Sequence, residues 1–313
     1  MPKVSVIIAT RNRRALLPRA VESARRAGRD VEVVVVDDAS EDGTGEVCRG
    51  WADVRYVGAR RRLGPAGARN VGIVASSSPY ISFLDDDDVR LPGSLDAQAE
   101  ILEAHPLAGM VYGRALYGDE ECRPAGGSYP ESCPQGDLFW QLMSWNFIPC
   151  PTVLFRRACL TRVGMLEEGA PGVEDWDLWV RIAELHEVLA TEEAVAVWRR
   201  PTAESGQFTS RGERLHREAR RLHAESWLRL PRAAGAGRAA RGRAARDFAE
   251  RASQQLVWEA GASLRAGRRK DFARVALAAL SMYPLRVGRK LLSASTWLPL
   301  KKVSRNKRRG DPV

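Results

Sequence analysis

Strands and helices alternate along the first two thirds of the chain, which predicts an α/β fold built on a mixed, mainly parallel sheet flanked by helices. Three observations carry this. Val4-Ser5-Val6-Ile7-Ile8-Ala9-Thr10 and Val31-Glu32-Val33-Val34-Val35-Val36-Asp37-Asp38 are β-branched, apolar runs of the kind found in buried strands. Between them Leu16, Leu17, Ala20, Val21 and Ala24 fall at helical spacing, with Gly28 as the stop, completing a βαβ unit. A third apolar run, Tyr80 to Leu84, ends in four adjacent carboxylates, Asp85 to Asp88.

Composition bounds what such a fold could serve. With 313 residues, 44% hydrophobic and 28% charged, the chain can bury one large core or two modest ones. The net charge of +10 is unevenly placed: residues 211–313 hold 26 Lys and Arg against 8 Asp and Glu, which leaves 23 against 31 for residues 1–210. The 5 cysteines are widely spaced and never form a C-x-x-C pair, so neither a disulfide framework nor a zinc site is signalled, and a reducing cytoplasm fits. The first strand follows Met1-Pro2-Lys3 directly, too short and too β-branched for a signal peptide, and no run of apolar residues is long enough to predict a spanning helix.

Taken in order, Ser40-Glu41-Asp42-Gly43-Thr44 supplies turn and helix-cap chemistry, and Val54 to Val57 reads as a short strand. Gly64-Pro65-Ala66-Gly67-Ala68-Arg69-Asn70-Val71-Gly72 opens a small-residue helix leading into the strand at Tyr80. Neither the G-x-G-x-x-G fingerprint nor the Walker pattern is matched, which argues against a dinucleotide dehydrogenase. Asp37 and Asp38 end a strand, where a carboxylate accepts hydrogen bonds either from a nucleobase or ribose or from the turn through Ser40. The four aspartates are either a solvated acidic loop or a divalent-metal site; adjacent like charges at a strand end favour a cation among them.

Further on, Leu95 to Leu102 reads as a helix broken at His105-Pro106, and Ala108 to Gly113 as a strand. Gly118 to Pro134 reads as a surface loop, Asp137 to Met143 as a short helix, and Asn146 to Arg156 as a strand entered through prolines. Trp140, Trp145 and Phe147 read as core rather than as a sugar-stacking platform. Gly164 to Pro171 is a loop before Gly172 to Arg181, a helix start with acidic residues in its first turn, and Ala194 to Arg199 is a last strand.

Four motifs in register, Val4 to Arg13, Val35 to Thr44, Gly67 to Gly72 and Phe83 to Asp88, make the chain resemble a family 2 glycosyltransferase over residues 3 to 205. The resemblance implies a GT-A fold, with a nucleotide-sugar-binding half at 1–95 and an acceptor-binding half at 96–210. It places Thr10, Arg11 and Asn12 at the nucleotide pocket, Asp38 on the base and Arg69 near the nucleotide. It makes Asp85-Asp86-Asp87 the D-x-D motif for Mg²⁺ or Mn²⁺, with Asp85 and Asp87 on the metal and Asp86 near the ribose. It also implies that the Glu174-Asp175 pair supplies the catalytic base, Asp175, for transfer with inversion; Asp177 lies about 200° further round a helix and cannot share its pocket.

The implied donor is a nucleotide-diphospho-sugar and the acceptor a hydroxyl on a lipid-linked saccharide, a glycan or a small metabolite, in glycan, glycolipid or cell-surface polysaccharide synthesis. Where family members often carry a His, Arg200 and Pro201 stand, and the Gln-x-x-Arg-Trp signature of processive synthases is absent, so non-processive transfer is expected. Residues 211–313 read as a basic, mainly helical extension, either a solvated appendage or a surface for peripheral contact with the anionic inner face of the cell membrane. Two other classes fit less of the chain. A nucleotidyltransferase would carry a glycine-rich loop after the first strand, and a nucleic-acid binder would show a recognition motif and a basic body, so no nucleic acid partner is expected.

Overall fold

The computed structural model describes residues 2–200 and 212–284. The first strands and helices are β1 (Val4–Thr10), α1 (Leu17–Arg26), β2 (Val31–Asp37), α2 (Thr44–Arg49), β3 (Val54–Gly58), α3 (Gly64–Ala75) and β4 (Tyr80–Asp85). Strands β3, β2, β1 and β4 lie side by side in parallel, and the register pairs Thr10 with Asp37 and Ala9 with Asp85. That register decides where chemistry sits, because the polar ends of three apolar strands reach the same edge of the sheet. Helix α3 packs so closely that a Cβ on Gly72 would lie 2.3 Å from Ile7 Cγ2, so only glycine fits there.

The chain continues through β5 (Val89–Arg90), α4 (Ser94–Ala104), β6 (Ala108–Gly118), β7 (Pro124–Tyr129), α5 (Phe139–Ser144), β8 (Leu154–Arg156), α6 (Leu160–Val163), α7 (Glu174–Leu185) and β9 (Glu187–Arg199). The nine-stranded sheet runs β3-β2-β1-β4-β8-β6-β9-β5, with β7 added on β6. Pairings are parallel in the first half and between β6 and β9, and antiparallel where β8, β5 and β7 join, so the sheet is mixed. One core, with Val6, Ile8, Leu17, Val21, Val35 and Leu102, lies on the α1 and α4 face. The other, with Ile7, Val36, Phe83, Phe155 and Trp179, lies on the face covered by α3 and α7.

Three local expectations are corrected. The stretch read as a surface loop from Gly118 to Pro134 contains β7, an exposed edge strand held by backbone pairing and therefore silent in the apolar pattern. The strand expected from Asn146 is reduced to Leu154–Arg156, because Pro149 and Pro151 lack N–H donors and the chain tightens into a 3₁₀ turn at Cys150–Thr152. Strands β6 and β9 run well past the segments read as strands, pairing with each other from Ala108 and Glu187 to Gly118 and Arg199.

Helices α8 (Gly212–Glu225), α9 (Pro231–Ala234), α10 (Arg238–Arg265) and α11 (Arg269–Met282) follow. Two compact units part between Arg251 and Ala252, inside α10. The composition shift at residue 211 does not coincide with this division: Ala219, Leu222, Trp227, Ala233 and Phe248 belong to the core of the first unit. The second unit is built on Leu256, Val257, Ala260, Val275, Ala276, Ala279 and Met282. The apolar stretch expected from Leu291 to Leu300 lies outside the described residues. Among the described residues no helix is long and apolar enough to cross a membrane.

Candidate active site

The four aspartates turn tightly at the end of β4, with Asp88 N donating to Asp85 O at 3.1 Å. Each of Asp85, Asp87 and Asp88 offers a carboxylate oxygen, and these oxygens lie within 4.8 Å of one another. Asp86 points elsewhere, accepting from Thr10 Oγ1 at 2.7 Å and from Arg13 Nη1 at 2.7 Å. Burial, aided by the charge of Asp87, raises Asp86 to about 6. Burial and the charge of Asp85 raise Asp87 and Asp88 as well.

This donor set suits a hard divalent cation, which takes carboxylate oxygens. Asp87 Oδ2 is buried and accepts no well-aligned hydrogen bond, although Arg13 Nη1 stands 2.9 Å and Arg199 Nη1 3.7 Å from it. An anionic oxygen of that kind, close to two other carboxylates, is what a bound cation would relieve. Asp88 is fixed by Arg199 N, which donates to its Oδ1 at 2.8 Å through the β5–β9 pairing. Asp88 joins Asp85 and Asp87 beyond the pair expected from the sequence, because four identical adjacent residues do not announce which of them converge.

Just past the C-terminal end of β1, Arg11 is exposed. Asn12 adopts φ +53° and fastens the neighbouring loop: its N–H donates to Ser40 Oγ at 2.9 Å, and its Oδ1 accepts from Glu41 N at 2.8 Å. Asp37 takes the turn role, accepting from Ser40 N at 2.9 Å and Tyr56 Oη at 3.0 Å. Both oxygens of Asp38 accept from backbone amides at the start of α3, Leu63 N at 2.5 Å and Gly64 N at 3.0 Å. Asp38 therefore ties β2 to the start of α3.

Arg69, on α3, joins the two ends of the site. Its Nη2 donates to Asp85 Oδ1 at 2.5 Å and its Nη1 to Glu174 Oε1 at 2.7 Å. Glu174, buried at the start of α7, also accepts from Gly172 N at 2.6 Å. Asp175 follows, its Oδ1 accepting from Trp176 N at 2.6 Å, and burial reinforced by the charge of Glu174 raises it to about 7. Asp177, the alternative carboxylate, is buried and engaged by Arg181 Nε at 2.8 Å and Trp227 Nε1 at 2.8 Å. Asn70 clamps the loop that precedes α7, giving Nδ2 to Leu166 O and taking Leu166 N on Oδ1, both at 3.0 Å.

Thr10, Arg13, Arg69, Asp85 to Asp88, Glu174 and Asp175 thus form one connected constellation, while Arg11, Asn12 and Asp38 rim it. Arg13 and the bridging of Glu174 to Asp85 carry no signal in the sequence, since pairing across more than 70 residues leaves no local pattern.

The family model described as Glycosyl transferase family 2 matches residues 5–162, just over half of the chain. The chain is 34% identical over 122 residues to the GalNAc(5)-diNAcBac-PP-undecaprenol beta-1,3-glucosyltransferase of Campylobacter jejuni, a match covering 37% of this chain and 39% of that protein. The first curated relatives it matches are spanned over only 26% to 39% of their length. In fold it is similar to S. aureus TarS 1–349 in complex with UDP-GlcNAc, with a TM-score of 0.63 and 18% identity over 92% of this chain and 83% of that one. It is also similar to the mannosyltransferase PcManGT of Pyrobaculum calidifontis in complex with GDP-Man and Mn²⁺, with a TM-score of 0.55 and 22% identity over 91% and 88% of the two chains. These neighbours share the GT-A architecture.

Proposed function

The chain belongs to glycosyl transferase family 2, and from that premise we propose that it transfers a sugar from a nucleotide-diphosphate donor to a hydroxyl acceptor, non-processively and with inversion. The observation that carries this reading is Arg69, whose two terminal nitrogens bind Asp85 at the strand-end cluster and Glu174 beside Asp175. One buried side chain thereby brings the carboxylates suited to a cation on the donor diphosphate next to the carboxylate suited to the acceptor.

In this reading Asp175 takes the proton of the attacking hydroxyl. A base is most effective when its pKa lies near the working pH, and burial with a neighbouring Glu174 sets Asp175 at about 7. Residues Asp85 and Asp87, with Asp88, would hold Mg²⁺ or Mn²⁺, which when bound supplies Lewis-acid stabilisation of the diphosphate that leaves. Thr10 and Arg13 engage Asp86, and Arg13 Nη1 links it to Asp87 of that cluster. Arg11, Asn12 and Asp38 border the nucleotide at the ends of β1 and β2, in the donor half of residues 1–95, and residues 96–210 receive the acceptor.

The Campylobacter relative acts, by its name, on a GalNAc-containing glycan linked to undecaprenol through a diphosphate, and a lipid-linked saccharide is accordingly the acceptor class put forward for this chain. A peripheral contact of the basic C-terminal region with an anionic membrane would present the site to it. Screening UDP-, GDP- and dTDP-sugars for thermal shifts in the presence and absence of Mn²⁺ tests the donor assignment. One nucleotide class should raise the unfolding midpoint in a Mn²⁺-dependent way, and the absence of a shift with all three contradicts the assignment.

A further inference from the structure

We infer that Arg13 is a built-in counter-cation, which occupies the strand-end carboxylates until the donor diphosphate draws it away and so makes the divalent cation and the donor bind cooperatively. This deepens the proposed function and rests on its reading of a cation held beside the donor diphosphate.

Four adjacent carboxylates at a strand end repel one another, and guanidiniums compensate them here. Arg69 Nη2 lies 2.5 Å from Asp85 Oδ1 and Arg199 Nη1 3.7 Å from Asp87 Oδ2. Arg13 Nη1 lies 2.7 Å from Asp86 Oδ1 and 2.9 Å from Asp87 Oδ2. The first two are fixed elsewhere as well: Arg69 reaches Glu174, and Arg199, on β9, gives Nε to Glu120 O at 3.1 Å. Arg13 lies on the irregular connection between β1 and α1, and its side chain is 25% exposed against 7% for Arg69. Its backbone is anchored, since Leu16 N and Leu17 N donate to Arg13 O at 3.0 and 3.1 Å. The side chain can therefore swing while the loop stays.

Asp87 is both a partner of Arg13 and a member of the trio whose carboxylate oxygens converge. A guanidinium and a divalent ion on one carboxylate repel, and the repulsion is weakly screened because Asp86 and Asp87 are buried. Binding of the ion alone is thereby opposed. A diphosphate changes the balance, because the planar fork of arginine matches phosphate oxygens. In the proposed function the neighbouring Arg11 and Asn12 border the nucleotide, which puts the diphosphate within the province of the same loop. Turning from Asp87 to the diphosphate keeps the guanidinium paired and clears the carboxylate. Each ligand then raises the affinity of the other by the same factor.

The test titrates Mn²⁺ into the full chain, alone and with UDP, GDP or dTDP, and reads free Mn²⁺ by electron paramagnetic resonance. R13Q and R13M remove the charge, and R13M keeps the apolar stem of the side chain should R13Q fail to fold. Without nucleotide, both should bind Mn²⁺ about tenfold more tightly than wild type, and the tightening produced by the nucleoside diphosphate should shrink by a similar factor. R13K keeps a cation and should stay close to the wild-type value without nucleotide. Neutral variants that bind Mn²⁺ alone no more tightly than wild type overturn the counter-cation role while leaving the cation site in place, and so does R13K matching R13Q. If neither wild type nor any variant binds Mn²⁺ even with nucleotide, the role and the reading it rests on both fall.

Discussion

Arg69 is 6% exposed, and its terminal nitrogens end on Glu174, 105 residues away, and on Asp85, 16 residues away. A buried guanidinium with two carboxylates satisfies the fork geometry that lysine cannot reproduce. Arg69→Gln leaves both carboxylates without their partner, and breaking a buried pair from one side costs about 3–5 kcal/mol. Chemical denaturation should show a loss of that order, with Arg69→Lys intermediate, and a loss within error of zero would contradict the bridge. At this scale the sequence announced the types of residue better than their partners. The strand-end aspartates, Arg69 and the Glu174-Asp175 pair were all legible as candidates. Asp38 shows what was not: a carboxylate at a strand end does not announce the two backbone amides that donate to it, Leu63 N and Gly64 N.

Helix α7 presents Asp175, and α8 with the segment after it supports α7 from behind. Trp227 Nε1 donates to Asp177, its ring lies 5.1 Å from that of Trp176, and Trp176 Nε1 donates to Leu142 O at 2.6 Å. Asp177 is therefore a fastening for the helix on which Asp175 sits. The same layer buries His216 stacked on Trp145 at 5.7 Å and His223 stacked on Phe248 at 4.9 Å, and burial lowers both imidazoles from 6.5 to about 4. The unfolded chain then takes up protons first as the pH falls, so stability contributed by the neutral rings is full above about 6.5 and is lost as pH falls towards 4. Each histidine should cost on the order of 3 kcal/mol at the acid end of that window. Asp86, raised to about 6, moves in the opposite direction, so the comparison must be with a double variant, His216→Phe with His223→Phe. Urea unfolding at neutral and mildly acidic pH should show that this variant loses less stability on acidification, or gains more, than the wild-type chain, and an unchanged response would contradict the assignment.

At the scale of the whole molecule, the parallel register delivers Thr10, Asp37 and Asp85 to one edge of the sheet, and the β5–β9 pairing brings Arg199 to Asp88. The first half of this was readable, because β1, β2 and β4 are continuous apolar runs with polar ends and their helices keep a clear period. The second half was less so. Strand β7 has no apolar alternation, β8 is only three residues long, and β6 and β9 recognise each other through backbone pairing over segments where polar and apolar residues mix. The C-terminal region misleads in another way. Its Arg-rich composition begins at residue 211, yet α8 and α9 keep a narrow apolar stripe, and that stripe is enough to place Ala219, Leu222 and Ala233 in the core of the first unit.

The central claim is that the strand-end aspartates bind the donor while Asp175 acts on the acceptor, two tasks joined by Arg69 and separable by substitution. Asp175→Asn separates them, since the amide keeps the shape of the side chain and cannot take a proton. Donor binding, followed by calorimetry with Mn²⁺, should remain within about twofold of wild type, while nucleoside diphosphate release in the presence of a lipid-linked saccharide acceptor should fall by roughly two to four orders of magnitude. Transfer at the wild-type rate, or loss of donor binding together with transfer, would contradict the account.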